Sequence, residues 1–439
     1  MRPDYDFIKG LASEIGCNIT DLIALTPGND PFYAGVASRR EAAEWFAGLW
    51  LSCGWVVGSH PRRLHYNLVS RETPILRPNG EPYQNTENDW KYFASASLSA
   101  RYLRLIPDGA LSDARNDPPI IHAGPAATGT PSFEVYGRGG AGLQFGMEPA
   151  SIYPPFASLN HFDACQEYLV EVWIEKSTMN DVLVPLAQTV GFNLVPGTGE
   201  TSEVLARLAV ERVVQDQRPM RILYVSDFDP GGRSMPVALA RKIEYWVRDA
   251  DLDLDITLQP IVLTPEQCEA YRLPRIPLKQ TERRAAKFEE RFGSGATELD
   301  ALEALHPGVL ATIVRSEVER YVDPTLPARV REAKWSIERN VRNFRAEVLS
   351  NYDIASIESR YNAAFDGFKA EVLEIEAETE ALWPEIAEEI EEQLPEIELE
   401  DLPKPRASTP PATPLFDSRR DYVDQIDHYR AWQGKGGDA

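Results

Sequence analysis

Two carboxylates at the end of a strand-like run are the strongest chemical signal in this chain. The run is Arg221-Ile-Leu-Tyr-Val-Ser-Asp-Phe-Asp-Pro-Gly-Gly232. Ile222, Leu223, Tyr224 and Val225 are apolar and partly β-branched, the composition of a central strand. In extended chain Asp227 and Asp229 point the same way, about 6–7 Å apart. Pro230, Gly231 and Gly232 stop the strand, and a helical stretch follows from Arg233 to Val247. Open parallel sheets gather ligands at the carboxyl ends of their strands. Two acids placed there suit a hard cation such as magnesium, which takes oxygen ligands. The plainer reading is a Rossmann-like domain whose acids only cap helices.

Other elements must position that pair. Tyr168 to Glu175 reads as a second strand, and it too ends on an acid, Glu175. A helix then begins at Ser177 or Thr178. A short strand, Phe192 to Val195, leads through glycines to a helix from about Ser202 to Val214. After the Asp-x-Asp strand and its helix comes another strand, Ile256 to Leu263. That alternation implies a parallel sheet with right-handed crossovers. In such a sheet Glu175 meets the Asp pair at one edge.

The arrangement resembles the Toprim domain of topoisomerases, primases and related nucleases over residues 165–325. The Asp-Phe-Asp-Pro-Gly-Gly form is most similar to the type IIB branch, the topoisomerase VI A subunit and the meiotic break-forming protein. The resemblance implies an α/β Toprim domain in which Glu175, Asp227 and Asp229 bind magnesium. Glu298-Leu-Asp-Ala-Leu302 resembles a short acidic segment of the same branch. Glu298 and Asp300 there are either supports for the metal ligands or helix-start charges.

Upstream, helical spacing runs from Arg40 to Leu51, Pro61 suits a helix start, and Thr86 caps a helix running to about Leu103. With a wing or loop over Arg104 to Ile120, residues 31–120 form a winged-helix pattern, a DNA-binding or protein-binding module. Arg62, Lys91, Arg101 and Arg104 are its expected phosphate contacts. Type IIB A subunits carry a winged helix before Toprim, with a catalytic tyrosine in a motif like Arg-x-aliphatic-Tyr-Tyr. Here Arg62-Arg-Leu-His-Tyr66 matches, with His65 in place of the first tyrosine. The resemblance makes Tyr66 the nucleophile, Arg63 a phosphate guide and His65 a proton acceptor. A tyrosine with a pKa of about 10 needs such help near neutral pH. The alternative is a core or interface tyrosine. The family scheme further implies a homodimer acting on DNA, with the tyrosine of one protomer meeting the metal of the other. It also implies a separate ATPase subunit, since no Gly-x-x-x-x-Gly-Lys-Ser/Thr run occurs here.

Three function readings follow: transesterification by Tyr66, a Toprim nuclease that cuts DNA by water attack, and a non-catalytic DNA-binding protein. Net charge is −23 over 439 residues, which on its face disfavours nucleic acid. The charge is uneven, however. Residues 371–401 hold 14 Asp and Glu and no Lys or Arg, and removing them leaves −9 on the other 408 residues. Cys17, Cys53, Cys165 and Cys268 show no paired spacing, as expected in a reducing cytoplasm. No signal peptide is visible at the start, and no apolar run is long enough to span a membrane.

The domain order expected is a lead-in (1–30), winged helix (31–120), linker or hairpin (121–164), Toprim domain (165–325), acidic helical extension (326–401), and Pro-rich linker and tail (402–439). The stretch Gly137-Arg-Gly-Gly-Ala-Gly142 matches Gly-x-Gly-x-x-Gly, but glycines and prolines after it prevent the helix a dinucleotide site needs.

Overall fold

The alternation of strands and helices closes, in the computed structural model, into a mixed α/β fold with a mostly parallel five-stranded sheet. The structure describes residues 4–112, 117–137, 153–197, 202–250, 253–279, 282–365, 369–406 and 413–434. The Gly-rich stretch from residue 138 onward lies outside them.

In chain order, α1 (Tyr5–Ile15) precedes α2 (Ala37–Ser52), α3 (Pro61–Val69) and α4 (Glu87–Tyr102). Strands β1 (Ser132–Tyr136) and β2 (Phe156–Asn160) come next. Then β3 (Leu169–Ile174), α5 (Asn180–Val190), β4 (Asn193–Pro196), α6 (Glu203–Asp216), β5 (Met220–Val225), α7 (Pro230–Ala250) and β6 (Ile256–Val262) alternate. Four short helices follow: α8 (Pro265–Ala270), α9 (Ala285–Phe292), α10 (Leu299–Leu305) and α11 (Val309–Val318). Long helices α12 (Leu326–Ser350), α13 (Ile354–Phe365) and α14 (Lys369–Gln393) lead to β7 (Phe416–Asp417) and α15 (Tyr422–Gln433).

The chain divides into two compact units. The larger joins residues 1–124, 167–322 and 407–439; the smaller joins 125–166 and 323–406. The sheet belongs to the larger, in the order β4-β3-β5-β6-β7. Its first four strands are parallel, and β7 pairs antiparallel with β6. Side chains alternate between two cores, as a sheet covered on both faces requires. Met220, Ile222 and Tyr224 of β5 face the core shared with α1, α6, α7 and α15. Leu223 and Val225 face the one shared with α5, α10 and α11. One residue of β3 breaks the apolar run: Glu171, fully buried, is held bidentate by Arg212 at 2.7 and 2.8 Å. A buried carboxylate is tolerated when so paired and hydrogen-bonded.

Helices α2, α3 and α4 share a third core built on Phe46, Trp50, Leu64, Leu68 and Phe93. The expected wing over 104–120 does not form a strand pair among the described residues. Leu111 makes a single parallel bridge to Ser59, and the chain turns at Pro107 to Gly109. A small antiparallel bridge, Leu76 to Pro82, falls instead between α3 and α4.

The segment expected as a tail is also part of the sheet core. Arg241 of α7 is fully buried and pairs with Asp30 at 3.1 Å and Glu244 at 3.0 Å, while the Tyr422 hydroxyl accepts from it at 2.5 Å. Tyr429 also donates to Glu244, at 3.2 Å. One charge cluster thus ties the chain's first and last segments to α7.

In the smaller unit, Trp383, Ile386 and Ile390 of α14 pack with Val348 of α12, and Phe133, Val135 and Ala157 of the β1–β2 pair line the same core. Its two crossing points are clasped together. Gln166 donates to the Asp323 carbonyl at 2.8 Å and accepts from the Asp323 N–H at 2.9 Å.

Candidate active site at the strand ends

Strands β3 and β5 run in register, Ile174 beside Val225, so the next residues of each leave the sheet together. The Glu175 N–H donates to the Val225 carbonyl at 3.1 Å, which fixes Glu175 at the sheet's edge. Ser226 extends pairing toward β6 through Val262 and Leu263, at 2.7 and 2.8 Å. The chain then turns sharply. A Cβ at Gly232 would collide with the Asp227 carbonyl, so only glycine fits there. Asp229 Oδ1 accepts from the Gly232 N–H at 2.6 Å, which caps the start of α7. The capping role and a place at the strand edge thus coincide in Asp229.

A second segment closes on this turn. Phe228 and Thr297 exchange both backbone hydrogen bonds, at 2.9 and 3.0 Å. The Leu299 N–H, in the first turn of α10, donates to Asp227 Oδ1 at 2.7 Å. That pairing carries Glu298 and Asp300 to the strand ends across many residues of intervening chain. Both acids are held there by Lys176. Its ammonium lies 2.7 Å from Asp227 Oδ2 and 3.3 Å from Asp300 Oδ2, and it also pairs with Glu298.

Lys176 is a functional residue that the acid pattern alone does not reveal. The signal for it is its isolation: it is the only Lys or Arg between Arg138 and Arg207, and it directly follows Glu175. Its acids raise its pKa above the ordinary lysine value, against the opposing effect of burial, so it stays charged.

Glu175 is the least satisfied of the acids. Its Oε2 is buried and has no hydrogen-bond partner. Burial, followed by the charges of Asp227 and Asp229, pushes its carboxyl up to about 7. Burial likewise raises Asp227, against the pull of Lys176 and the Leu299 N–H. Carboxyls raised by mutual repulsion and desolvation lack a cation. The bare Glu175 oxygen and the second oxygen of Asp229 are donors of the hard type magnesium takes. The donor set therefore fits the ion. Among the described residues, however, no three His, Cys, Asp or Glu side chains converge as a ready-made cage. The physical reason is on the page: Asp227 spends one oxygen on Leu299 and the other on Lys176, and Asp229 spends one on Gly232.

The tyrosine side is separate. Tyr66 lies on the solvent face of α3, 51% exposed, with Arg62 and Arg63 exposed beside it. It is not a core tyrosine, and it makes no hydrogen bond to the acids among the described residues. His65 points the other way and is buried. Asn85 Oδ1 accepts from its Nε2 at 3.1 Å, so Nδ1 accepts from the Tyr83 hydroxyl at 2.5 Å. Both ring nitrogens are spent, which leaves His65 no lone pair for Tyr66. Its place is that of a polar core residue.

The expected phosphate contacts are unevenly available. Arg62 lies over the Trp90 ring at 5.4 Å and stays exposed. Lys91 is exposed and pairs with Glu87 at 2.7 Å. Arg101 is half-buried, near enough to Tyr102 for its charge to act on that hydroxyl. Arg104 is committed to Asp108 and Asp249, and stacks on Trp246 at 4.9 Å. Committed in this way, it is not free to meet a phosphate.

No protein-family model matches this chain, and no curated protein matches it. No helix among the described residues is long and apolar enough to cross a membrane.

Proposed function

We propose that this protein is a magnesium-dependent DNA-cleaving enzyme of the Toprim class, similar to the topoisomerase VI A subunit. The observation that carries the reading is the strand-end cluster: Glu175, with a bare buried oxygen, beside Asp227 and Asp229. Glu175 and Asp229 would hold the ion, with Asp227 positioned beside them. Bound there, magnesium supplies positive charge to the scissile phosphate and the departing oxygen.

The chain's own groups do the rest. Helices α2 to α4 act as the winged helix, and DNA lies over the face that carries Arg62, Arg63 and Lys91. Arg62 and Arg63 bind phosphates and steer one toward Tyr66. The Tyr66 oxygen forms a bond to phosphorus as the bond from phosphorus to one deoxyribose oxygen breaks. The phenolic proton passes to solvent, since His65 is engaged elsewhere, and the departing oxygen takes up a proton. The product is a phosphotyrosyl link. The exposure of Tyr66 suits an active centre completed by a second copy of this chain, in a homodimer that works with a separate ATPase subunit.

One observation favours a second reading. With His65 spent, no base stands beside Tyr66, so attack by water at the acid cluster is the alternative. Cleavage of supercoiled plasmid with magnesium distinguishes them. Asp227→Ala should abolish cleavage and spare DNA binding, and a mutant that cuts at the wild-type rate refutes the site. Tyr66→Phe should eliminate both cleavage and the covalent protein–DNA adduct. A Tyr66→Phe protein that still cuts, and still needs Asp227, identifies water as the attacking group. A wild-type protein that binds DNA and never cuts it is a non-catalytic binder.

A further inference from the structure

The ammonium of Lys176 sits among carboxylates in the way a metal ion would. It touches Asp227, Glu298 and Asp300 at once, from three different places in the sequence. Asp227 has no oxygen left, because Leu299 holds the other one. Glu175 Oε2, directly before Lys176 in sequence, is bare. The acids therefore fall into two sets. Glu175 and Asp229 each keep an oxygen for an external cation. Asp227, Glu298 and Asp300 already share an internal one.

We propose that Lys176 is a resident cation that limits this site to one divalent ion. Related phosphoryl-transfer sites that use two metals place them about 3.5–4 Å apart, each with its own carboxylates. Here the second set of carboxylates is taken by the lysine. The lysine does two things there. It offsets the repulsion of three clustered acids, which keeps Asp227 and α10 in place before any metal arrives. It also supplies a fixed positive charge beside the scissile phosphate, where a second ion would otherwise act. Removing the ammonium leaves three acids facing one another without a counter-ion, and a divalent ion is the natural replacement.

This inference rests on the reading that Glu175 and Asp229 bind a divalent ion. Manganese titrated into the full-length protein, with free ion read by electron paramagnetic resonance, tests both and keeps them apart. Wild type should bind one Mn2+ per chain, and Glu175→Gln should weaken that binding by about 10- to 100-fold. Lys176→Met should bind two. Adding Asp300→Asn to Lys176→Met should return the number to one, and Lys176→Arg, which keeps the charge, should stay at one. Thermal melting of each variant confirms that it is folded. Should Lys176→Met misfold, Lys176→Gln replaces it with the same expectation. Two ions on wild type, or one on both folded neutral variants, overturns the role of Lys176 and leaves the Glu175 site standing. No binding to wild type, or binding unmoved by Glu175→Gln, sinks the metal-site reading and the proposal with it.

Discussion

Replacing Glu175 by Gln should change how the protein's stability depends on pH, in a direction that the site's electrostatics fix. The Glu175 carboxyl is raised from about 4.5 to about 7, first by burial and then by Asp227 and Asp229. A group whose folded pKa is raised binds its proton more tightly in the folded state. Its stabilising contribution is therefore complete below about pH 4.5, declines as pH rises to about 7, and is gone above that. Each pKa unit corresponds to about 1.36 kcal/mol, so the decline amounts to about 3 kcal/mol across the window. Glutamine keeps the shape and removes the charge. Metal-free Glu175→Gln should lack this decline and exceed wild type at pH 8 by a similar amount.

Magnesium should reverse that advantage. An ion binds the ionised carboxyl, so it competes with the proton. Its apparent affinity for wild type should fall by about tenfold for each pH unit below 7. Urea unfolding at pH 5, 6, 7 and 8, with chelator and with magnesium, measures both effects. The reasoning fails if chelated wild type is as stable at pH 8 as at pH 5 after the slope of the Glu175→Gln variant is subtracted. It also fails if magnesium stabilises both proteins equally, since the ion would then not be reading Glu175.

Two further outcomes test the frame that holds the site. Asp30→Ala leaves the fully buried Arg241 without one of its two carboxylates and frees three backbone N–H groups, of Ala24, Leu25 and Phe32. Breaking such a buried pair costs about 3–5 kcal/mol, readable as a lower urea midpoint with an unchanged slope, and a loss under about 1 kcal/mol would show the cluster to be dispensable. Changing Glu374, Glu378, Glu385 and Glu388 of the acidic helix to Gln should tighten DNA binding at low salt, with the gain shrinking as salt rises. Unchanged affinity would leave those residues as an ordinary solvated face.

The strand ends were legible because apolar runs there stop on acids, a pattern local to a few residues. Glu175 and the Asp227–Asp229 pair could be placed on neighbouring strands from alternation alone, and the register of β3 with β5 agrees. What could not be read was every feature that depends on a distant partner. Strand β7 is two residues long, carries no periodicity, and gains its place only by pairing with β6. Tyr422 and Tyr429 look like ordinary aromatics of a short helix until Arg241 is seen buried between them. Glu171 sits inside a strand that otherwise reads as apolar, and only Arg212 makes it tolerable there. His65 stands where the family motif places a tyrosine, yet its ring nitrogens answer to Tyr83 and Asn85, residues of the following loop. Lys176 is the clearest instance. A lysine after a glutamate reads as a solvated charge, and nothing nearby in sequence says that Thr297 will pair with Phe228 and bring two more acids to meet it. Sequence patterns report which side chains leave a strand together. They do not report the counter-charge that arrives from elsewhere in the fold, and at this site the counter-charge decides how many carboxylate oxygens remain for a metal.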